Sequence, residues 1–488
     1  MSARLPLLRK TPFVFDPRPL TEASSPHAGA LAISRAFRSL GYPGLIEANV
    51  RVKKRKRGFD EGQFIEQISM LQAIGGDCPE DLRWLAQDEC LERGLGYKPA
   101  KVTAVREFLE QFHDEKLEGL RPKREVQKSF IFPESDPIRA FQNVQAGGVR
   151  NIARRYKEEG QPQRMATVDQ DATIIESHKK AALPHYEGGR GYQPMVAIWA
   201  EADLVLADEF RDGNVPARQA PLTCAKMAFA ALPTDIQGRY FRGDSACHEA
   251  DLLEWLRHAD RAKEPGGAIG FAVSAVMSKE LGATLRKIPE KTWTTFDTEA
   301  DGTLRQWAEI PFVPGEGYER KDSKPLRYVG LRLLKAQGLL FADGSDRHFH
   351  AVITNRDLPG DKLLEWHREK AGTVEHVHDE IKNWLAGGHV PSQRFGVNAA
   401  WFKMALLTYN LTSAIRGLCF SPEDRTVRLK KFRLLLIHLA GRMNRNNCVM
   451  GLRLCASYEA IARMKKVWQV FALPTQATAN QPFAKRGT

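Results

Sequence analysis

Residues 164–175, "RMATVDQDATII", decide the fold. Apolar and polar residues alternate, as they do along a strand whose side chains point to opposite faces. Thr167, Asp169, Asp171 and Thr173 then share one face, and Val168, Ala172 and Ile174 the other. Two carboxylates about 6.6 Å apart on one face repel by roughly 2.5 kcal/mol at an effective dielectric of ~20. A divalent ion would remove that repulsion, because Mg²⁺ and Mn²⁺ prefer carboxylate oxygens and water.

Downstream, "YQPMVAIWA" (192–200) and "ADLVLADEF" (202–210) read as two more strands with short links, which pair antiparallel. The stretch "GAIGFAVSA" (267–275) is another apolar strand. Hairpin material follows in "KTWTTFDTEADGTLRQWAEIPF" (291–312) and "LRYVGLRLL" (326–334), and "RHFHAVITNRD" (347–357) is a further strand. Residues 360–388 are helical with a break near Gly372, and "AAWFKMALLTYNLTSAIRGL" (399–418) is an apolar, buried helix. Upstream, residues 1–20 read as an unstructured arm and about 25–120 as a small helical bundle. Residues 121–150, including "FPESDP", read as a linker, and the tail from about 425 as basic and helical.

The chain has 488 residues, a net charge of +13 and a sequence pI of about 9.3. A surplus of that size favours a polyanionic partner, nucleic acid first. Its clearest concentration is "RVKKRKRG" (51–58), which offers Lys53, Lys54, Arg55, Lys56 and Arg57 to phosphates. Seven scattered cysteines without a C-x-x-C pair argue against a disulfide framework or a cysteine zinc site, and for a reducing cytoplasm. No apolar stretch reaches the ~20 residues of a membrane span.

Two further acids stand in suggestive contexts. Asp244, in "GRYFRGDSACHEADLLEWL" (238–256), follows a short aromatic run and precedes a helix, a strand-end position where α/β sheets build sites. Glu375 lies on a helix with Lys382 seven residues later, two turns on and so on the same face. His348, His350, His376 and His378 suggest zinc less well than strand alternation and helical exposure explain them. A glycosidase would use paired carboxylates, but needs neither the basic surplus nor the Glu-x6-Lys spacing.

With these residues in view the chain resembles the DDE transposases of bacterial insertion sequences. Asp171-Ala172-Thr173 matches the first acid, Arg242-Gly243-Asp244-Ser245 the second, and Glu375 with Lys382 the third. The subgroup's Tyr-x2-Arg-x3-Glu-x6-Lys pattern is altered upstream of the glutamate: His367 stands near the Tyr position and Lys370 near the Arg position, with one extra residue. "YEGGRGYQPM" (186–195), "LAGGHVPSQRFGVNAAWFKMALLTYNL" (385–411) and "HLAGRMNRNN" (438–447) resemble further segments of one subgroup.

The resemblance implies an α/β fold, an RNase H-like mixed sheet flanked by helices, with an N-terminal helical region and a β-rich insertion. The implied parts are a DNA-binding region at 1–135, a catalytic core at 136–255 and 346–420, an insertion at 256–345 and a basic tail at 421–488. It implies two Mg²⁺ or Mn²⁺ ions held by Asp171, Asp244 and Glu375. Asp169 would be either a supporting neighbour or the ligand in place of Asp171. Lys382 would contact a phosphate near the scissile bond, and Lys370 would also meet DNA. Expected partners are double-stranded DNA, as transposon end and target, and a second copy of the chain; the expected location is the bacterial cytoplasm, on the nucleoid. The implied reaction is strand cleavage and strand transfer at terminal inverted repeats. A DNA-binding derivative that no longer cuts is the alternative.

Overall fold

The computed structural model describes residues 22–53, 57–122, 128–312, 325–446 and 449–473. The expected arm at 1–20 and the basic residues Lys54, Arg55 and Lys56 lie outside these.

Helices α1 (Leu31–Ser39), α2 (Tyr42–Asn49), α3 (Glu61–Ile74) and α4 (Val102–Glu110) form the N-terminal region. Asp60 and Gln63 cap α3 reciprocally at 2.7 and 3.0 Å, and Gly75 ends it with φ 116°, a left-handed value that suits glycine. Next comes α5 (Asp136–Glu158). The sequence had suggested a linker over much of this range. Asp136, Arg139, Asn143 and Arg150 face outward, while Ile138, Phe141, Val144, Val149 and Ile152 are buried, a helical stripe that the mixed composition hid.

The sheet begins with β1 (Met165–Ala172), β2 (Met195–Trp199) and β3 (Leu204–Glu209), an antiparallel meander. After α6 (Pro221–Ala231) the chain forms β4 (Gly238–Gly243), parallel to β1 on its other side. Helix α7 (Ala250–Arg257) leads to β5 (Ile269–Ser274), parallel to β4. Parallel pairing needs a crossover, and α6 and α7 supply it. Helix α8 (Lys279–Lys287) precedes β6 (Thr294–Thr298), β7 (Leu304–Ile310), β8 (Arg327–Leu334) and β9 (Arg347–Thr354). The order is β6-β7-β8-β9-β5-β4-β1-β2-β3, one mixed nine-stranded sheet among the described residues. Strand β5, placed in the insertion at 256–345, is an interior strand of the sheet, and the hairpins after it extend that same sheet through β9.

Helix α9 (Gly360–Asp379) runs unbroken through Gly372 and continues as a π-turn over Glu380–Trp384. Nothing packs within 4 Å of a Cβ placed at Gly372, so that glycine carries only the propensity cost of about 1 kcal/mol. At its start, Gly360 is required, because a Cβ there would meet the Trp307 ring at 2.2 Å. Helix α10 (Phe395–Cys419) is buried nearly all round, as its apolar run predicts. Its Asn410 carboxamide accepts from Val205 N–H at 2.7 Å and donates to Val205 C=O at 2.8 Å. That pairing occupies backbone groups on the free side of β3, where a bare strand edge would otherwise be exposed.

The tail is not all helix. β10 (Ala440–Asn446) and β11 (Val449–Cys455) form a hairpin before α11 (Tyr458–Val470), and the pair Ser24–Ser25 adds to β10. One hydrophobic core cluster runs from Ala28 to Phe471, so the N-terminal helices, sheet and tail share a core.

Candidate active site

The strand register makes the site. β1 and β4 pair Asp169 with Arg242 and Gln170 with Gly243. One step further along each strand come Asp171 and Asp244, at neighbouring ends of parallel strands about 4.8 Å apart. Asp171 is partly exposed, with its side chain at 27%. Asp244 caps the turn Ser245–Cys247 by accepting the Ala246 N–H at 3.0 Å. Burial, and then the negative charge of Asp171, raise the Asp244 carboxyl above its ordinary pKa, while Lys370 opposes the rise.

Helix α9 crosses this end of the sheet. His367 faces the Gly243 carbonyl at 3.1 Å, and the Lys370 ammonium lies 3.0 Å from Asp171 Oδ2. Burial works against the Lys370 charge, but Asp171 and then Asp244 override it and its pKa is raised. One turn and two turns beyond Lys370, Val374 and His378 continue the buried row. Lys382 closes the edge by donating to the Ile174 carbonyl at 3.1 Å. The π-turn holding Lys382 is pinned by Glu380, fully buried, which accepts from Arg416 at 2.9 Å and from Leu429 N–H at 2.6 Å.

Asp169 is held by its partner across the strands. Arg242 donates to both its oxygens, at 2.6 and 2.8 Å, and both side chains are buried. Arg242 also donates to Trp366 C=O at 2.6 Å and pairs with Glu369 at 2.8 Å, so it rivets β1, β4 and α9 together. Both Asp169 oxygens are thus engaged by Arg242, beside Asp171 and Asp244. Lys370 is likewise buried within the site and does not stand on an outer DNA-facing surface.

Glu375 is exposed on α9, three residues before His378 and on an adjacent row. The structure brings Lys370 to Asp171 and within electrostatic reach of Asp244, holds Lys382 at the Ile174 carbonyl near the end of β1, and leaves Glu375 exposed. Lys53 is engaged locally, donating to the carbonyls of Arg57, at 3.1 Å, and Phe59; Arg57 is exposed. Sequence reasoning missed Tyr186, 77% exposed on the turn after Pro184, whose hydroxyl pKa is raised by burial first, then by Glu187, and last by Asp171 and Asp244. It also missed the orientation of His367 and His378, whose rings burial pushes down to a pKa of about 4.

Two adjacent carboxylates form a donor pair suited to a hard divalent cation, and the Lys370 ammonium is their counter-charge in this structure. Among the described residues no group of three His, Cys, Asp or Glu side chains could hold a metal ion. The fit therefore covers two protein ligands, which suits Mg²⁺, an ion that keeps several waters when bound by one or two carboxylates.

The fold also couples the site's surroundings to pH. His248, next to the Asp244 turn, accepts the Val276 N–H through Nδ1 at 2.8 Å. Burial, then the charge of Arg218, lowers its pKa to about 4. An unfolded chain protonates this histidine below ~6.5 while the folded chain does not. Stability should therefore fall as pH drops from about 6.5 to 4, by up to ~1.4 kcal/mol per pH unit from this group. His248→Asn keeps an acceptor for Val276 and removes the titration. Denaturant melts at pH 7, 5.5 and 4.5 should show a shallower loss in the variant than in the parent.

The family described as transposase DDE domain group 1 matches residues 22–474. No curated protein matches the chain. Among solved structures, a piggyBac transposase synaptic complex with hairpin DNA is similar at 10% identity and a TM-score of 0.40, over 94% of this chain and 83% of that one. That likeness is too loose to add to the argument. The match over nearly the whole chain, from the N-terminal helices to the C-terminal hairpin and helix, shows that the protein belongs to the group 1 DDE transposases.

Proposed function

We propose that the chain cuts DNA at the terminal inverted repeats of an insertion sequence and joins the freed ends to a target, as an active enzyme using an RNase H-like core. One observation carries this reading: Asp171 and Asp244 meet at adjacent ends of parallel strands, with cationic Lys370 beside them. DDE transposases use divalent metals, and here Asp171 and Asp244 would hold the ions, two of Mg²⁺ or Mn²⁺. Glu375 would be the third carboxylate, supplied when its side chain turns from the rim toward the two aspartates. Bound ions supply charge neutralisation at phosphorus and a nucleophile, water first and a DNA 3′-hydroxyl afterwards.

The protein's own groups do the rest. Lys382, fixed near the end of β1 by the Ile174 carbonyl, would offer its ammonium to a phosphate beside the scissile bond. Arg242 keeps α9 seated on the strands that carry both aspartates. The net charge of +13 draws in duplex DNA, with Lys53 and Arg57 and the intervening Lys54, Arg55 and Lys56 as one contact. The working form would be a dimer on DNA, and the location the bacterial cytoplasm; no helix among the described residues is long and apolar enough to cross a membrane.

The second reading, a DNA-binding derivative without cleavage, is favoured by the exposed position of Glu375 outside the aspartate pair. A nicking assay on duplex DNA carrying the element's ends, with Mg²⁺ or Mn²⁺, separates the two. Metal-dependent nicking at the ends supports the enzyme; tight binding with no nicking in either metal supports the derivative.

A further inference from the structure

We propose that the Lys370 ammonium is an internal plug of the metal site, holding the cation position between Asp171 and Asp244 until a divalent ion displaces it. This rests on the metal-binding reading of those aspartates given above. Lys370 is 7% exposed, and its Nζ lies 3.0 Å from Asp171 Oδ2. A carboxylate oxygen in that contact cannot also bind a divalent ion without setting two cations against each other at close range. Asp244 is within electrostatic reach of the same ammonium. The chain therefore answers with its own side chain the negative charge that would otherwise recruit metal.

The geometry also allows release. The plug hangs on a flexible four-carbon stem. It meets the two aspartates where Asp171 is still 27% exposed and Tyr186 is largely exposed, so the site has a mouth. On the protein side, His367 and His378 feel the Lys370 charge but carry no carboxylate, and both oxygens of Asp169 are already held by Arg242. An ion entering from solvent meets Asp171 first, and the displaced ammonium leaves by the same opening, toward any phosphate lying across it.

The consequence is a weakened affinity for metal in the absence of DNA, because apparent affinity scales with the fraction of time that the site is open. Mn²⁺ titration calorimetry on the full chain without DNA tests this, using the parent, K370M, K370A, K370R and D171N. Thermal melts without metal confirm that each variant is folded. K370M and K370A should bind Mn²⁺ about tenfold or more tighter than the parent. K370R should stay close to the parent, and D171N should remove the binding. If K370M and K370A bind as the parent does or more weakly, while D171N still abolishes binding, the plug is wrong and the metal site stands. If D171N changes nothing in any background, the metal-binding reading fails, and the plug with it.

Discussion

Asp244→Asn should abolish DNA strand cleavage while leaving the protein folded. The loss expected is at least about a thousandfold in rate, some 4 kcal/mol of transition-state stabilisation, since metal clamps at phosphorus supply several kcal/mol each. The local fold should survive because the carboxamide oxygen of Asn can still accept the Ala246 N–H that Asp244 accepts at 3.0 Å. Asp244 is also a carboxyl raised by burial, so its charge does not stabilise the fold. Single-turnover nicking with Mg²⁺ and Mn²⁺, alongside a denaturant melt, measures both halves. Loss of nicking with a melting midpoint close to the parent's is the expected pair. A variant that nicks within tenfold of the parent would remove Asp244 from the chemistry.

Arg242→Met should produce the largest loss of stability, about 3–5 kcal/mol, because it strands the fully buried Asp169 without its counter-ion. The same change cuts the bonds to Trp366 and Glu369, so α9 loses its rivet to the sheet. Burial already holds the Asp169 carboxyl above its ordinary pKa even with Arg242 in place. In the variant the group should take up a proton at still higher pH. A carboxyl with a raised folded-state pKa favours folding as pH falls, so the deficit of Arg242→Met should shrink between pH 7 and pH 5. Adding Asp169→Asn should restore part of the loss, and a double-mutant cycle gives the coupling. A deficit below about 1 kcal/mol, or one indifferent to Asp169→Asn, would contradict the role given to the pair.

Much of this was readable from residues alone. The alternation in 164–175 marked β1 and put Asp169 and Asp171 on one face, and the structure keeps both on the side covered by α9. Asp244 at a strand end and the Lys382 helix were legible for the same reason, since each rests on local periodicity. What local pattern cannot carry is pairing. "GAIGFAVSA" announced a strand, but not that it would lie beside β4 inside the sheet. The hairpin at 440–455 was hidden because Arg442 and Arg453 face each other across it, and basic residues there read as a solvated tail. The rotation of α9 was hidden too. It decides that Lys370 and His378 are buried toward the aspartates while Glu375 is exposed, and a helix sequence with polar residues on several faces does not say which row packs.

The same rotation fixes the most direct test of the account, whose central claim is that Asp171 and Asp244 share a metal ion. Crystals of the full chain soaked in Mn²⁺ should give an anomalous difference peak bound by carboxylate oxygens of both residues, at about 2.0–2.2 Å. The Lys370 ammonium should have moved off Asp171 in the same map. A peak elsewhere, or none, with the Lys370–Asp171 contact intact at saturating Mn²⁺, would contradict it.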